Sequence, residues 1–122
     1  MKKYDYIILG TGPAAYQLIK LLATQHKSIL VVESGLFGGT CPNVGCEPKI
    51  YLDGAVQAIL SSRQFEKEGI ISQIGKLNWS QLMKEKKERF ASWPNETRKN
   101  ISKIREVISG SAHFVDRQTI EV

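Results

Sequence analysis

The sequence predicts an α/β fold built on a parallel sheet, and three features of the first 33 residues carry that prediction. A short apolar run, Tyr6-Ile7-Ile8-Leu9, leads directly into a glycine-rich stretch at residues 10–15. A helix-spaced apolar pattern follows, and then a second β-rich run, Ser28–Val32. Strand, glycine loop, helix and strand within about thirty residues form one βαβ unit. We therefore predict a Rossmann-like dinucleotide-binding domain whose βαβ unit covers residues 4–33.

Composition places the chain among folded globular domains. Its 122 residues suit a single domain, with 42% hydrophobic and 24% charged residues. Four of the 17 basic residues lie in the mixed-sign run at residues 84–89, and such a run is typical of a solvated helix face. Despite the net charge of +5, we therefore predict no nucleic-acid partner. Asp5 and the loop glycines interrupt any signal-like segment, and no apolar run approaches the ~20 residues needed to span a bilayer. We expect a cytoplasmic protein without membrane association.

The glycine loop matches the pattern G-x-G-x-x-G/A, with Gly10, Gly12 and Ala15 at the three key places. The first glycine allows a sharp turn, the second leaves room for a pyrophosphate, and the small third residue lets helix and strands pack closely. Glu33 lies about 20 residues further on, where a carboxylate can accept hydrogen bonds from ribose hydroxyls. The alternative is a glycine-rich turn in an α/β core without a ligand.

The elements around this loop are predicted from their apolar spacing. The continuous run 6–9 is typical of a strand buried on both faces of a parallel sheet. The helix that follows has its apolar stripe at Ala15, Leu18, Ile19 and Leu22.

Both cysteines lie in the segment 39–49, with four residues between them. A five-position step in a regular helix rotates about 140°, so Cys41 and Cys46 would face apart. Pro42 and Gly45 indicate a bent segment that could bring the two sulfurs together. A helix is predicted from about Gly45, so that the loop and helix cover residues 39–62, with an apolar stripe at Leu52, Ala55, Val56, Ile59 and Leu60.

Redox chemistry is one of several interpretations of this cysteine pair. A thiolate at the start of a helix, with Lys49 nearby, should have a lowered pKa. A structural disulfide, a pair of buried free thiols and a zinc site are the alternatives. Zinc would require a closer cysteine pair and two more ligands, whereas His26 and His113 are the only histidines. We therefore predict no metal.

The second half of the chain shows helices and then strands, without evident chemistry. Residues 64–77 are predicted to be a connector, and Asn78 to cap a helical segment at 79–103 that Pro94 breaks. Residues 106–122 are predicted to form strands, with His113 a half-exposed strand residue. Trp79 and Trp93 are expected to pack against the helices.

The string Gly38-Gly39-Thr40-Cys41-x-Asn43-Val44-Gly45-Cys46-x-Pro48 resembles the redox-disulfide signature of the two-cysteine flavoprotein disulfide reductases. That family includes glutathione reductase, dihydrolipoamide dehydrogenase and mercuric reductase. Lys49 directly after Pro48 is most similar to glutathione reductase, and Pro42 and Glu47 depart from the common pattern. The resemblance covers essentially the whole chain, including the segment Gly110-x-Ala112-x-Phe114.

The resemblance implies FAD as cofactor and assigns roles to individual residues. It implies that Cys46 exchanges electrons with the flavin, that Cys41 attacks the substrate disulfide and that Lys49 tunes the flavin. It implies that Glu33 holds the adenosine ribose and that Ala112 meets the adenine. The complete set of cofactor-binding residues that it implies is Gly10, Gly12, Pro13, Ala14, Glu33, Ser34, Gly39, Thr40, Cys41, Gly45, Cys46, Lys49 and Ala112.

Members of that family are several times longer than 122 residues, so the resemblance implies the N-terminal portion of an FAD-binding domain. The NAD(P)H domain, the rest of the FAD domain and the interface domain of a homodimer would be missing. We expect the chain alone to lack turnover on a disulfide substrate, with FAD affinity reduced by the incomplete site. The alternative function is a non-catalytic dinucleotide-binding module or a partner-associated subunit. A thioredoxin-like protein is disfavoured, since its cysteines have two residues between them.

Overall fold

A computed structural model describes all residues, 1–122, as five helices and five strands. The first half contains β1 (Tyr6–Leu9), α1 (Pro13–Leu21, extended by a 3-10 turn at Leu22–Thr24), β2 (Ile29–Glu33), α2 (Thr40–Asn43) and α3 (Cys46–Lys67). The second half contains α4 (Trp79–Phe90), α5 (Trp93–Ser102), β3 (Glu106–Ser109), β4 (His113–Phe114) and β5 (Ile120–Glu121). None of the helices combines the length and the apolar character needed to cross a membrane.

Three strands form a parallel sheet in the order β1-β2-β3, which confirms the predicted α/β class. Ile8 pairs with Val31, and Val31 pairs with Val107 on the other side. All five residues of the central strand β2 are buried. Because the strands run in the same direction, their carboxyl ends at Leu9, Glu33 and Ser109 meet at one edge of the sheet. Ligands of open α/β sheets bind at this edge.

The prediction that β1 is buried on both faces is wrong. Only Ile8 is buried, whereas Tyr6, Ile7 and Leu9 are 46%, 38% and 49% exposed. The reason is the position of β1 at the edge of the sheet, where it has a neighbouring strand, β2, on one side only.

The core lies on that face of the sheet, between the strands, α1 and α5. Its buried members are Ile8, Ile19, Leu22, Ile29, Val31, Phe37 and Ile101. The predicted stripe of α1 is therefore confirmed at Ile19 and Leu22 but wrong at Leu18, which is 43% exposed. Ile101 is fully buried and anchors α5 to the sheet, next to the loop that carries Phe37.

Helix α3 is longer than predicted, because it ends at Lys67 instead of residue 62. Helix-forming residues continue to Lys67, and the chain then turns at Gly69, whose φ is 72°. Its apolar stripe is only partly covered, since Val56 and Leu60 are 43% and 48% exposed. The connector therefore begins after this helix.

The start of α4 and the break before α5 are confirmed. The Asn78 side chain accepts a hydrogen bond from the Gln81 amide at 3.0 Å, which is the predicted N-cap. Pro94 lies in the first turn of α5, where its missing N–H costs no helical bond. Trp93 packs edge-on against Phe90, with ring centroids 4.7 Å apart. Trp79 is 57% exposed, so the prediction that it packs is wrong.

The last strands are also confirmed as extended structure. β3 completes the parallel sheet, and β4 and β5 pair in an antiparallel hairpin. His113 is an exposed strand residue that faces Glu121, with 3.3 Å between His113 Nε2 and Glu121 Oε2.

Candidate dinucleotide and dithiol site

Gly10 makes the turn from β1 into α1. Its φ is +90°, a conformation that residues with a Cβ rarely adopt. Its amide donates to the Val32 carbonyl at 2.7 Å, which keeps the turn against the end of the central strand. The backbone conformation at this turn therefore explains why glycine is required there, as predicted.

Gly12 leaves open space in front of the first turn of α1. A Cβ built at Gly12 has no atom within 4 Å. The Tyr16 amide donates to the Gly12 carbonyl at 2.9 Å, so the amides of Ala14 and Ala15 precede the helical hydrogen-bond ladder. No acidic residue lies in this turn. Space, unpaired amides and the positive end of a helix dipole together suit a phosphate group.

Glu33 ends β2 and is only 9% exposed. Its Oε2 accepts hydrogen bonds from the Thr11 amide at 2.8 Å and from the Thr11 hydroxyl at 2.5 Å. Its Oε1 accepts from the Gly35 amide at 2.8 Å. Burial alone would raise the pKa of Glu33, but hydrogen bonds from Thr11, Gly35 and Ser34 outweigh it and lower the pKa. Glu33 is therefore an ionised acceptor.

Thr11 is a site residue that the sequence analysis missed. It is 1% exposed, and its hydroxyl accepts a hydrogen bond from the Gly38 amide at 2.9 Å. It therefore joins the glycine loop to the segment that precedes the cysteines. The sequence did offer one indication of this role, a hydroxyl residue between the two loop glycines.

A cleft of about 300 Å³ lies at the carboxyl edge of the sheet. Its lining residues are Leu9, Gly10, Val32, Ser34, Gly110 and Ala112. The structure thus brings together three predicted cofactor residues, Gly10, Ser34 and Ala112. They come from three separate parts of the chain, and the Gly110 amide fixes the last part by donating to the Glu33 carbonyl at 2.9 Å.

Gly39 brings the cysteine segment against the nucleotide loop. Its φ is +69°, and a Cβ at this position would lie 2.9 Å from the Gly12 Cα. No other residue type fits between these two backbones without displacement. The structure therefore places the predicted dithiol segment directly on the predicted pyrophosphate loop.

Asn43 holds this segment in shape, which the sequence analysis did not predict. Its Nδ2 donates to the carbonyls of Phe37 at 2.9 Å and Gly39 at 2.8 Å. The Gly45 amide donates to the Thr40 carbonyl at 2.7 Å, which closes the one-turn helix α2. These bonds set the bend that Pro42 and Gly45 predicted.

The two cysteines lie on either side of this bend, Cys41 in α2 and Cys46 at the start of α3. Both are free thiols; Cys41 is half-buried and Cys46 is exposed. The pKa of the Cys41 thiol is raised, mainly by a side-chain hydrogen bond with Cys46 and secondarily by burial. The neighbouring thiol thus acts against ionisation of Cys41, which lies in the turn before α3, and the lowered pKa expected for a thiolate at the start of that helix stays a prediction.

This contact predicts a pH-dependent reactivity. Alkylation of Cys41 by iodoacetamide should rise about tenfold per pH unit below the pKa of the thiol, since the thiolate is the nucleophile. In Cys46→Ala the main cause of the raised pKa is removed, so the midpoint of this pH profile should move to lower pH. Mass spectrometry of the reduced chain after timed labelling measures both profiles. Identical midpoints in the two proteins would contradict the assignment.

Other predicted residues are not gathered into the same cleft. Pro13 instead lines a second cavity of about 320 Å³, together with Pro42 and Thr97. Ala14, Thr40 and Lys49 are exposed. Lys49 lies in the first turn of α3, three residues after Cys46.

Fold and site define a dinucleotide-binding α/β domain with a dithiol segment packed on its phosphate loop. A family model described as pyridine nucleotide-disulphide oxidoreductase matches residues 4–121. The chain belongs to this family, whose members are flavin-dependent oxidoreductases.

Individual relatives agree with this assignment. The chain is 34% identical to a dihydrolipoyl dehydrogenase of Mycoplasma pneumoniae, over 98% of this chain and 26% of that enzyme. It is 31% identical to a mercuric reductase of Bacillus cereus, over 98% of this chain and 19% of that enzyme. It also superimposes on the Cu(II) complex of RclA, an HOCl-induced flavoprotein disulfide reductase of Escherichia coli, with a TM-score of 0.74 and 25% identity, over 98% of this chain and 24% of that one. The chain thus spans between 19% and 26% of the length of these proteins.

Proposed function

We propose that this chain is the FAD-binding and dithiol-bearing part of an NAD(P)H-dependent disulfide oxidoreductase. The observation that carries the proposal is the contact between Gly39 and Gly12, where an added Cβ would lie only 2.9 Å from the opposite backbone. This contact holds Gly39 against the glycine loop, and Cys41 and Cys46 follow Gly39 by two and seven residues.

The residues around the loop fit FAD. The space in front of Gly12 and the amides of Ala14 and Ala15 suit its pyrophosphate. The ionised Glu33 suits the adenosine ribose, and the cleft beside Ser34 and Ala112 suits the adenine. These assignments rest on the chemistry and position of each group.

When bound, FAD supplies the two electrons that reduce the Cys41–Cys46 disulfide. Reduction takes up two electrons and two protons and gives two thiols. The Cys41 thiol can then attack a disulfide substrate by exchange, so that the substrate leaves as two thiols and the cysteine pair returns to a disulfide. Because the thiolate is the nucleophile, a nearby base that removes the proton of Cys41 would speed this attack.

The substrate specificity, the electron donor, the oligomeric state and the location are further parts of the proposal. A glutathione reductase-like specificity is supported by Lys49 directly after Pro48, whereas the relatives described above include a dihydrolipoyl dehydrogenase and a mercuric reductase. We propose NAD(P)H as the electron donor, a homodimer for the complete enzyme and a cytoplasmic location, where two closely spaced cysteines are more often catalytic than structural.

Reconstitution with FAD tests the proposal. Titration of the oxidised chain with FAD should quench flavin fluorescence at one equivalent, and riboflavin, which lacks phosphates, should bind much more weakly. Photoreduction of the bound flavin under nitrogen should then release two thiols per chain in wild type and none in Cys46→Ser. Binding without any gain of thiols would support a non-catalytic dinucleotide-binding module instead. An absence of FAD binding, with the chain shown to be folded by circular dichroism, would contradict both.

A further inference from the structure

We propose that Glu47 is a specificity-determining residue of the dithiol, which biases exchange towards disulfide substrates with a positive charge. The inference rests on the proposed exchange between the cysteine pair and a disulfide, and it names the charge that the substrate carries. Glu47 is one of two residues at which the chain departs from the common redox-disulfide pattern, so the family assignment does not contain this selectivity. Glutathione disulfide, which is anionic at neutral pH, would be disfavoured by Glu47, in contrast to the specificity proposed above from Lys49.

Glu47 carries a free charge directly beside the cysteine pair. It follows Cys46 in the first turn of α3, and both residues are exposed. No basic side chain forms an ion pair with Glu47, since the four ion pairs of the chain use other acids. A molecule that approaches Cys46 from solvent therefore comes close to a carboxylate that no cation of the chain neutralises.

The basic residues around the start of α3 lie on other faces of the helix. Successive helical residues are rotated by about 100°, so Lys49 lies about 160° from Glu47 around the axis and one turn beyond Cys46. Pro48 is also about 160° from Cys46; it is buried and lines a cavity together with two lysines of α4. This arrangement agrees with the absence of an ion pair at Glu47.

The charge of Glu47 also acts on the sulfur that attacks the substrate. The pKa of the Cys41 thiol is raised chiefly by its hydrogen bond with Cys46 and by burial, and the negative charge of Glu47 raises it further. The same field acts on any charged group that approaches Cys41. A change in pKa alters the rates for all disulfides by one factor, whereas selection by charge alters the ratio between them. The ratio of rates therefore reports the proposed role.

Both steps of the exchange bring a substrate half next to Glu47. The Cys41 thiolate attacks one sulfur of the substrate, the S–S bond breaks, and one half leaves as a thiolate that takes up a proton. The deprotonated Cys46 then attacks the Cys41 sulfur of the mixed disulfide and releases the other half as a second thiol. The cysteine pair is thereby oxidised by two electrons and the substrate reduced by two. Glu47 attracts a cationic half and repels an anionic one throughout.

Exchange between the reduced full chain and three small disulfides provides the test. Cystamine is cationic, dithiodipropionate is anionic and hydroxyethyl disulfide is neutral at neutral pH. Mass spectrometry after timed quenching with N-ethylmaleimide counts the remaining thiols. At low ionic strength, the ratio of the cystamine rate to the dithiodipropionate rate should be about fivefold higher in wild type than in Glu47→Gln. In ~1 M salt, where the Debye length is about 3 Å, this difference should fall below about twofold.

Comparison between variants separates Glu47 from the intrinsic reactivity of each disulfide and from the other charges of the chain. Glu66→Gln is the matched control, because Glu66 is exposed on the same helix about 28 Å further along. It changes the net charge by the same amount and should keep the wild-type ratio. Glu47→Asp retains the carboxylate and should keep most of the wild-type ratio.

Three outcomes would overturn the role of Glu47 and leave the proposed function intact. The first is an equal ratio in wild type and Glu47→Gln, and the second is a change of the same size in Glu66→Gln. The third is a common factor for all three disulfides in Glu47→Gln, which would show an effect on the pKa of Cys41 without selection by charge. Wild type that reacts with none of the disulfides to give a Cys41–Cys46 disulfide would overturn the proposed function as well.

Discussion

Gly12→Ala is expected to weaken FAD binding about 100-fold while leaving the stability of the chain nearly unchanged. The added methyl group meets no atom of the protein within 4 Å, and the φ of −61° at Gly12 suits any residue. The methyl group occupies the space in front of the first turn of α1, where the pyrophosphate would approach the amides of Ala14 and Ala15. Loss of about two charge-assisted hydrogen bonds at 1.5 kcal/mol each corresponds to a factor of about 100.

Fluorescence titration with FAD measures this affinity, and urea unfolding measures the stability. Gly54→Ala is the matched control, because Gly54 lies in α3 with open space at its Cβ position. That variant should gain up to about 1 kcal/mol of helix stability and bind FAD as wild type does. Equal FAD affinity in Gly12→Ala and wild type would show that the phosphates lie elsewhere.

The local elements of this fold follow from residue types that act over a few positions. Gly10 marks a turn whose backbone conformation needs glycine, and Asn78 carries its capping function in its own side chain. Such features are readable from sequence because their cause and their effect lie within one turn of the chain.

The errors arise where a distant element decides the outcome. Leu9 belongs to an apolar run that predicts a buried strand. Its actual exposure depends on whether another strand covers this edge of the sheet. The raised pKa of Cys41, which was not predicted, depends on its contact with Cys46 across a bend. Thr11 gains its importance from Glu33, which is 22 residues away in sequence. No local pattern contains these relations.

Gly39→Ala is expected to lower the free energy of unfolding by about 2–4 kcal/mol and to weaken FAD binding at the same time. Two costs add. The φ of +69° with ψ of −158° lies in a region that is almost restricted to glycine, which costs about 1–3 kcal/mol. The new methyl group would also lie 2.9 Å from the Gly12 Cα. One of the two backbone segments would have to move to relieve this contact. The cysteine segment would therefore shift away from the phosphate loop.

Gly69→Ala separates the two costs, since Gly69 has a similar φ of +72° but open space at its Cβ position. It should lose about 1–2 kcal/mol of stability and bind FAD normally. The difference between the two variants, measured by urea unfolding, then gives the energy of the contact between Gly39 and Gly12. Equal destabilisation, with wild-type FAD affinity in both, would mean that the dithiol segment can leave the loop without consequence. In that case, the contact on which the proposed function rests would have no functional role.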